Sequence, residues 1–383
     1  MINLNNNCYS LYIHIPWCLK KCPYCDFYSL RFLKNKKIIQ NQYINSLLLD
    51  LKSDLLYTGH DICIENIFLG GGTPSLINPK LISYLLSEIK NIVHVKKESE
   101  ITIEINPSSI SEKNILTYIK SGINRFSLGI QSFNNSSLKS LGRLHTAEDA
   151  INAIRMFNKK KKLKINLDII YGIPGQTLKN ACDDIYQAIS FKPNHISWYQ
   201  LTIEKNTIFG QYPPKDLLND DFLWKIFIQG EKIFKKAKYM QYEISSFIRN
   251  QNDKCKHNLN YWYFGNYLGI GCSAHGKLID LNGNIIRTVK NYNIKQYIKG
   301  SFLLSKKKIL NNEKIFEFFL NRLRVYNKIY KKEFMNKTGI NVAHIDSFIK
   351  KALKLGYLQQ NNDFWILTTK GHLFLNDLLE IFI

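Results

Sequence analysis

The sequence contains no apolar run of the roughly 20 residues that a membrane-spanning helix needs, and no positively charged leader followed by an apolar segment. We therefore expect a cytoplasmic protein. Acidic residues are scarce: Asp and Glu total 30 against 53 Lys and Arg, which gives a formal net charge of +23. Such a balance can indicate a nucleic acid or an anionic membrane as partner. The excess is mostly lysine, and the densest lysine runs lack interleaved aromatics, so we attribute it to composition bias and expect no nucleic-acid partner.

Cysteines are few and unevenly placed. Of the eight, three lie within 18–25, whereas the others are scattered at Cys8, Cys63, Cys182, Cys255 and Cys272. No second CxxC pair is present. This distribution indicates a metal site and spare thiols, not the disulfide framework of a small secreted domain.

A chain of 383 residues that is 45% hydrophobic can bury one large core and a smaller one. Short β-rich runs alternate with helical stretches, and Tyr43, Leu47, Leu51 and Leu55 form one apolar helix face. Repeated strand–helix units require a parallel sheet with right-handed crossovers. We predict an α/β fold, an open partial (β/α)6 barrel rather than a doubly wound sheet, with six strands at 11–15, 65–69, 101–105, 125–130, 165–170 and 195–201.

The alternation stops at Pro213 and Pro214, where we place the end of the barrel. Helical patterns at 315–323 and 345–355, followed by a hairpin pattern at 356–367, are typical of a winged helix. We therefore predict a barrel over residues 1–212, a connecting region over 213–310 and a winged-helix-like α+β domain over 311–383.

The segment from Cys18 through Cys22 to Cys25 has the spacing CxxxCxxC and directly follows the first predicted strand. Three thiolates at this spacing can bind one face of a cubane cluster and leave the fourth iron open. Zinc is the alternative, with His14 as a fourth ligand, but zinc sites favour paired CxxC elements.

Polar residues follow the later strands. Gly71, Gly72 and Thr73 lie in a GGGTPS run after the second strand, where glycine lets backbone approach a ligand, although an ordinary tight turn has the same composition. Further polar residues lie at or near the C-terminal ends of the following strands, which is where barrels collect their active sites. Taken singly, each is better explained as a cap, a surface charge or a satisfied core polar group, but chance explains the ordered set poorly. The set is Glu104, Gln131, Arg143, His145 and Asp168.

Together these motifs resemble the radical S-adenosylmethionine (SAM) superfamily. Within it, they are similar to the branch that contains oxygen-independent coproporphyrinogen III dehydrogenase and the HemW-type haem chaperones. The resemblance implies a [4Fe-4S] cluster on Cys18, Cys22 and Cys25, with SAM bound to the open iron. It further implies that Tyr12, Gly71 and Glu104 contact this SAM. Positions that hold a second SAM in the dehydrogenase correspond to Gly72, Thr73, Gln131, Arg143 and Asp168.

Several features favour the chaperones over the dehydrogenase. The dehydrogenase has a further cysteine where this sequence has Phe27, and it carries a longer N-terminal segment than the eleven residues that precede Tyr12 here. The segment 257–262 resembles the chaperones' HNxxYW motif, which implies a haem contact at His257. Residues 269–275, which include Ala274, match the branch and imply closure of the SAM pocket, with His275 as a reserve haem ligand.

The leading hypothesis is therefore a haem chaperone that delivers haem to acceptor haem proteins, including membrane-associated ones, and the resemblance is compatible with a homodimer. Coproporphyrinogen dehydrogenation by a SAM-derived radical is the enzyme alternative. Nucleic-acid binding through the winged helix is a third. Its second helix offers mainly Lys350, Lys351 and Lys354, which can hold phosphate but cannot specify sequence.

Overall fold

The computed structural model describes residues 8–32, 37–58, 62–160 and 163–383. Its strands are β1 (Cys8–Ile15), β2 (Trp17–Cys18), β3 (Leu30–Arg31), β4 (Cys63–Gly71), β5 (His94–Ile105), β6 (Arg125–Gln131), β7 (Lys164–Tyr171), β8 (His195–Gln200), β9 (Met240–Glu243), β10 (Ser246–Ile248), β11 (Asn266–Ile270), β12 (His275–Ile279), β13 (Ile285–Lys290), β14 (Leu303–Lys308), β15 (Ile329–Tyr330), β16 (Leu358–Gln360) and β17 (Phe364–Leu367). Its α-helices are α1 (Lys37–Thr58), α2 (Pro79–Ile92), α3 (Glu112–Lys120), α4 (Asn135–Ser140), α5 (Ala147–Asn158), α6 (Leu178–Ser190), α7 (Ile208–Gln211), α8 (Asp220–Lys236), α9 (Lys256–Trp262), α10 (Ile294–Ile298), α11 (Asn311–Arg322), α12 (Lys331–Thr338), α13 (Asp346–Lys354), α14 (Thr369–Leu373) and α15 (Leu375–Glu380).

The six strands predicted from the sequence are confirmed as β1, β4, β5, β6, β7 and β8. They are neighbours in that order and run parallel, as strand–helix–strand units require. Long apolar runs form them because helices cover one face and the barrel interior the other, so side chains on both faces are largely buried. The parallel part of the predicted partial barrel is therefore present.

The sheet continues beyond these six strands on both sides. Its order is β14-β13-β12-β11-β1-β4-β5-β6-β7-β8-β10-β9, twelve strands in all. The strands β9 to β14 come from the predicted connecting region, so this part of the chain extends the central sheet. The boundaries at 212 and 310 stay predictions.

Helix α1 packs on the sheet through the apolar face that its sequence predicts. Tyr43, Leu47 and Leu51 are buried within the main hydrophobic core, and Leu55 packs against it. Burying each such side chain stabilises the fold by roughly 1.5–3 kcal/mol. The same repeat thus fixes which side of α1 faces the sheet.

The C-terminal part has its own hydrophobic core, built by Phe318, Phe319, Phe334 and Trp365 among others. The predicted hairpin is present, because β16 pairs with β17 in antiparallel fashion, and β15 adds a third strand. The predicted helices correspond to α11 and α13. The winged-helix assignment of this helical unit stays a prediction. Across the described ranges, no helix has the length and apolar character needed to cross a membrane.

A buried ion cluster connects α1 to the end of β13. The Lys290 ammonium lies 2.5 Å from both Asp50 Oδ1 and Asp54 Oδ1, and all three side chains are almost fully buried. Burial raises the pKa of Asp54 to about 7 despite the adjacent ammonium. Asp50 Oδ2 also accepts hydrogen bonds from the Gly271 amide and the Tyr297 hydroxyl. The cluster therefore anchors the loop after β11 against α1.

Replacing Lys290 with methionine tests this anchor. Two buried carboxylates would lose their only cation among the described residues, which costs about 3–5 kcal/mol of unfolding free energy. Lys179→Met removes an exposed helical ion pair with Asp183 and is the matched control, with a cost below about 1 kcal/mol. Urea denaturation measures the unfolding free energy of both variants. Small and equal shifts of the two urea midpoints would contradict a structural role for Lys290.

Candidate functional site

A cavity of about 530 Å³ opens where the parallel strands end. It is enclosed by the loop after β1 and by residues from β1 and β4 to β8, the arrangement expected for a barrel of this type. Twelve of the predicted site residues line it together: Tyr12, Cys18, Cys22, Cys25, Gly71, Gly72, Thr73, Glu104, Gln131, Arg143, Asp168 and His257.

The three cysteines lie on one short loop at the cavity wall. Cys18 ends β2, which pairs with β3, and the Cys25 amide donates to the Cys22 carbonyl at 3.1 Å. The Thr73 hydroxyl lies 3.5 Å from Cys18 Sγ, and Arg143 Nη1 lies 3.7 Å from Cys22 Sγ. Burial raises the pKa of the Cys18 and Cys25 thiols, whereas the hydrogen bond from Thr73 opposes this rise at Cys18.

This donor set fits an iron–sulfur cluster. Within the described ranges, no three His, Cys, Asp or Glu side chains converge closely enough to enclose a single metal ion. A cubane cluster places each thiolate on a different iron, so its ligands need not share one centre. The donors from Thr73 and Arg143 are of the kind that adjusts the properties of cluster sulfurs.

The glycine run holds β4 against the cysteine loop. The amide of Gly72 donates to the Ile15 carbonyl at 2.8 Å, and that of Thr73 donates to the Trp17 carbonyl at 2.7 Å. A Cβ on Gly72 would lie 2.6 Å from the Trp17 oxygen, and Gly71 has φ +106°, so side chains are excluded at both positions. The two glycines are therefore required for this close backbone packing, and their contact with a ligand stays a prediction.

Two carboxyl groups face the cavity from β5 and β7. Glu104 Oε2 accepts from the Gly71 amide at 3.1 Å. Asp168 accepts from the Ser127 hydroxyl and the Asn166 amide, each at 2.8 Å. Burial raises the pKa of both groups, and the nearby Asp168 charge helps to raise the pKa of Glu104 to about 8. Glu104 is therefore able to donate a proton or a hydrogen bond near neutral pH.

Arg143 and Gln131 form the opposite wall. Gln131 adopts a left-handed backbone, with φ 67°, and its Oε1 accepts from the Tyr199 hydroxyl at 3.1 Å. Arg143 Nη2 donates to the Gly129 carbonyl at 2.9 Å, whereas its buried Nε has no hydrogen-bond partner among the described residues. A buried guanidinium nitrogen without a partner is costly, and a ligand carboxylate would satisfy it.

His257 lies on α9 at the base of the cavity, almost fully buried. Its Nδ1 pairs with Asn66 Oδ1 and its Nε2 with the Tyr261 hydroxyl, each at 2.8 Å. Burial lowers its pKa to about 3, so the imidazole is neutral. Iron ligation would require one of these hydrogen bonds to be given up, and the assignment of His257 as a haem ligand stays a prediction.

The structure does not bring Ala274 to the cavity. It is buried in the loop after β11, where its carbonyl accepts from the Lys290 amide, because the Asp50–Lys290 cluster draws this loop towards α1. His275, the reserve haem ligand, is exposed at the start of β12 and does not line the cavity either.

Sequence reasoning missed several polar residues of the cavity wall. Asn166 Oδ1 pairs with His195 Nδ1 at 2.6 Å, and His195 Nε2 pairs with the Tyr242 hydroxyl at 2.9 Å. Arg125 and Glu100 form a nearby buried ion pair at 3.5 Å. A polar residue within an otherwise apolar strand was the available signal, since such residues are buried only with partners.

Comparison with known proteins shows the family to which this chain belongs. Residues 12–185 match the radical SAM superfamily model, and residues 309–374 match the HemN C-terminal domain. The heme chaperone HemW of Buchnera aphidicola subsp. Schizaphis graminum is 47% identical over 98% of both chains. That of Haemophilus influenzae is 45% identical over 98% of this chain and 97% of its own, and that of Escherichia coli K12 is 42% identical over 98% of both. The chain belongs to the HemW family.

The HemW fold also has a solved counterpart. Coproporphyrinogen III oxidase (HemN) from Escherichia coli, described as a radical SAM enzyme, superposes with a TM-score of 0.82 and 20% identity. The match covers 98% of this chain and 89% of that one. It confirms the predicted α/β fold with a large central sheet and an appended C-terminal domain.

The pKa of Glu104 gives the cluster-free protein a pH-dependent stability. Between its ordinary value of 4.5 and its value of about 8, the folded protein holds a proton that the unfolded chain has released, so stability falls as pH rises. Glu104→Gln removes this slope. Its advantage in melting temperature over the wild type should grow from pH 4.5 to pH 8 and then level off.

Thermal melts across that range check the prediction. Glu98→Gln, on the exposed part of β5, is the control and should leave the pH profile unchanged. A Glu104→Gln difference that is constant with pH would contradict the assignment.

Proposed function

We propose that this chain is a haem chaperone that binds haem as cargo and transfers it to acceptor haem proteins, including membrane-associated ones. The observation that carries the proposal is identity of 42–48% to proteins named heme chaperone HemW over 98% of the chain. We further propose a cytoplasmic location, and a homodimer as a compatible assembly.

We propose that Cys18, Cys22 and Cys25 hold a [4Fe-4S] cluster. Their placement on one loop at the cavity wall supports this. The cluster would supply an electron to SAM bound at its open iron, which is the chemistry of the superfamily. Tyr12, Gly71 and Glu104 form the wall beside that loop and would orient this SAM.

A second SAM would lie against the remaining predicted contacts. Arg143 supports this, because its unpartnered Nε offers a donor to a carboxylate, and Asp168 offers acceptors to ribose or amino groups. The other members of this set are Gly72, Thr73 and Gln131. We propose that these groups bind and orient SAM in a water-poor cavity.

Serine at any one of the three cysteines should abolish the iron–sulfur absorption of anaerobically reconstituted protein, because a cubane held by two thiolates is lost. Cys182→Ser, a partly buried cysteine on α6, is the matched control and should retain full iron and sulfide. Metal and sulfide analysis distinguishes an iron–sulfur cluster from zinc. One zinc per chain without sulfide would overturn the cluster assignment.

We propose that the protein does not oxidise coproporphyrinogen. Phe27 supports this, because an exposed phenyl ring stands at the cavity mouth where the dehydrogenase is expected to have a thiol. The proposal leaves SAM cleavage as a property to be measured.

One anaerobic preparation with a complete cluster tests the function. We expect about one haem bound per chain and no decarboxylation of coproporphyrinogen, while 5'-deoxyadenosine release reports any SAM cleavage. The cluster-free Cys22→Ser protein is the control for radical chemistry. Decarboxylation of propionate side chains, or absence of haem uptake, would contradict the chaperone function.

A further inference from the structure

A second groove lies beside the mouth of the cavity. It has a volume of about 520 Å³ and is lined by Leu19, Lys20, Lys21, Leu30, Arg31 and Leu144; these six residues define the rim groove. Its size is within the roughly 300–1,000 Å³ of pockets that hold small molecules and cofactors. Four of the six also line the cavity, so the two spaces are adjacent.

The floor of the rim groove is apolar yet exposed. Leu144 is 57% exposed and Leu19 37%, and Phe27 at the adjacent cavity mouth is 66% exposed. Adjacent large apolar side chains left in water mark a binding surface more often than a free surface. The exposed leucine side chains can pack against a large apolar ring.

The rim groove is cationic as well. Lys20, Lys21 and Arg31 are exposed along it. Throughout the described part of the chain, no carboxylate lies within ion-pair distance of these three cations, and none lines the groove. Unpaired cations beside apolar surface match a ligand that carries carboxylates at the edge of an apolar body.

We propose that the rim groove is the haem site, with the macrocycle on the leucines and the two propionates on Lys20, Lys21 and Arg31. This rests on the proposed function and names the place where the cargo binds. The groove lining offers no His, Cys, Met or Tyr as an axial ligand. Recognition therefore depends on the ring and its carboxylates, and haem in this position covers the cavity mouth.

This site differs from the one that the HNxxYW motif implies. His257 lies at the base of the cavity with both ring nitrogens already hydrogen-bonded. Haem bound there would occupy the space beside Tyr12 and Glu104, where SAM is proposed. The rim groove allows haem and SAM to be held at the same time.

Porphyrin titrations of the cluster-loaded full chain test the proposal, with SAM binding and iron content measured on each sample. Protoporphyrin IX without iron should bind with a Kd close to that of haem. Its dimethyl ester should bind more weakly by about tenfold or more, because the charge-assisted contacts are lost. Because the rim groove and the SAM cavity are separate spaces, the haem affinity should rise little or not at all when SAM is omitted.

Variants locate the site. Leu144→Asp and Arg31→Glu should each weaken haem and protoporphyrin IX by about tenfold or more. Leu116→Asp on α3 and Arg155→Glu on α5 introduce the same charge changes at exposed positions elsewhere and should leave both affinities unchanged.

The outcomes separate this proposal from the chaperone function. Wild-type protein that binds no haem would refute both. Haem binding that is unaffected by the rim variants, or that is lost in His257→Ala while Arg31→Glu retains it, would overturn the rim groove and leave the chaperone function in place.

Discussion

The close approach of two backbone segments, 15–17 and 72–73, is the constraint on which the site depends. The hydrogen bonds from the Gly72 and Thr73 amides to the Ile15 and Trp17 carbonyls fix the end of β4 against the beginning of the cysteine loop. No side chain fits at Gly72, because a Cβ there would collide with the Trp17 oxygen. The loop that carries the thiols is thereby held at the same edge of the sheet as Glu104 and Asp168.

Many side chains that line the cavity at this edge are polar, and most of their polar groups are paired with neighbouring residues. Asp168 is satisfied by Ser127 and Asn166, and Glu104 by the Gly71 amide. Three polar atoms of wall residues are exceptions, since they lack a partner within the described residues: Arg143 Nε, Arg125 Nη2 and Thr102 Oγ1. Fully partnered groups hold the shape of the site, whereas a group without a partner is available to a ligand.

Sequence patterns predicted the parallel half of the fold because its strands are long apolar runs with helices between them. Twelve of the predicted site residues meet in one cavity, because residues at strand ends reach the same edge whatever their distance along the chain. The cysteine spacing and the glycine run were the main basis of this prediction, since each restricts the backbone geometry. The residue roles themselves stay predictions.

What the sequence did not predict depends on long-range packing. The strands β9 to β14 are short, and β14 is exposed along most of its length, so hydrophobic runs of the kind that marked the parallel strands are weak there. The position of Ala274 outside the cavity lining could not be predicted, because its loop is positioned by Asp50 and Lys290, which are 240 residues apart. The hydrogen bonds of His257 with Asn66 and Tyr261 likewise could not be read from the HNxxYW motif alone.

The outer edge of the central sheet has a consequence for how copies of this chain meet. The strand β14 ends the sheet on one side, and Lys306, Lys307 and Lys308 stand exposed along it. An unpaired strand edge is a template for continuous sheets between molecules, and a row of ammonium groups opposes that by mutual repulsion. Part of the chain's positive charge thus disfavours continuation of the sheet from this strand edge into a second molecule.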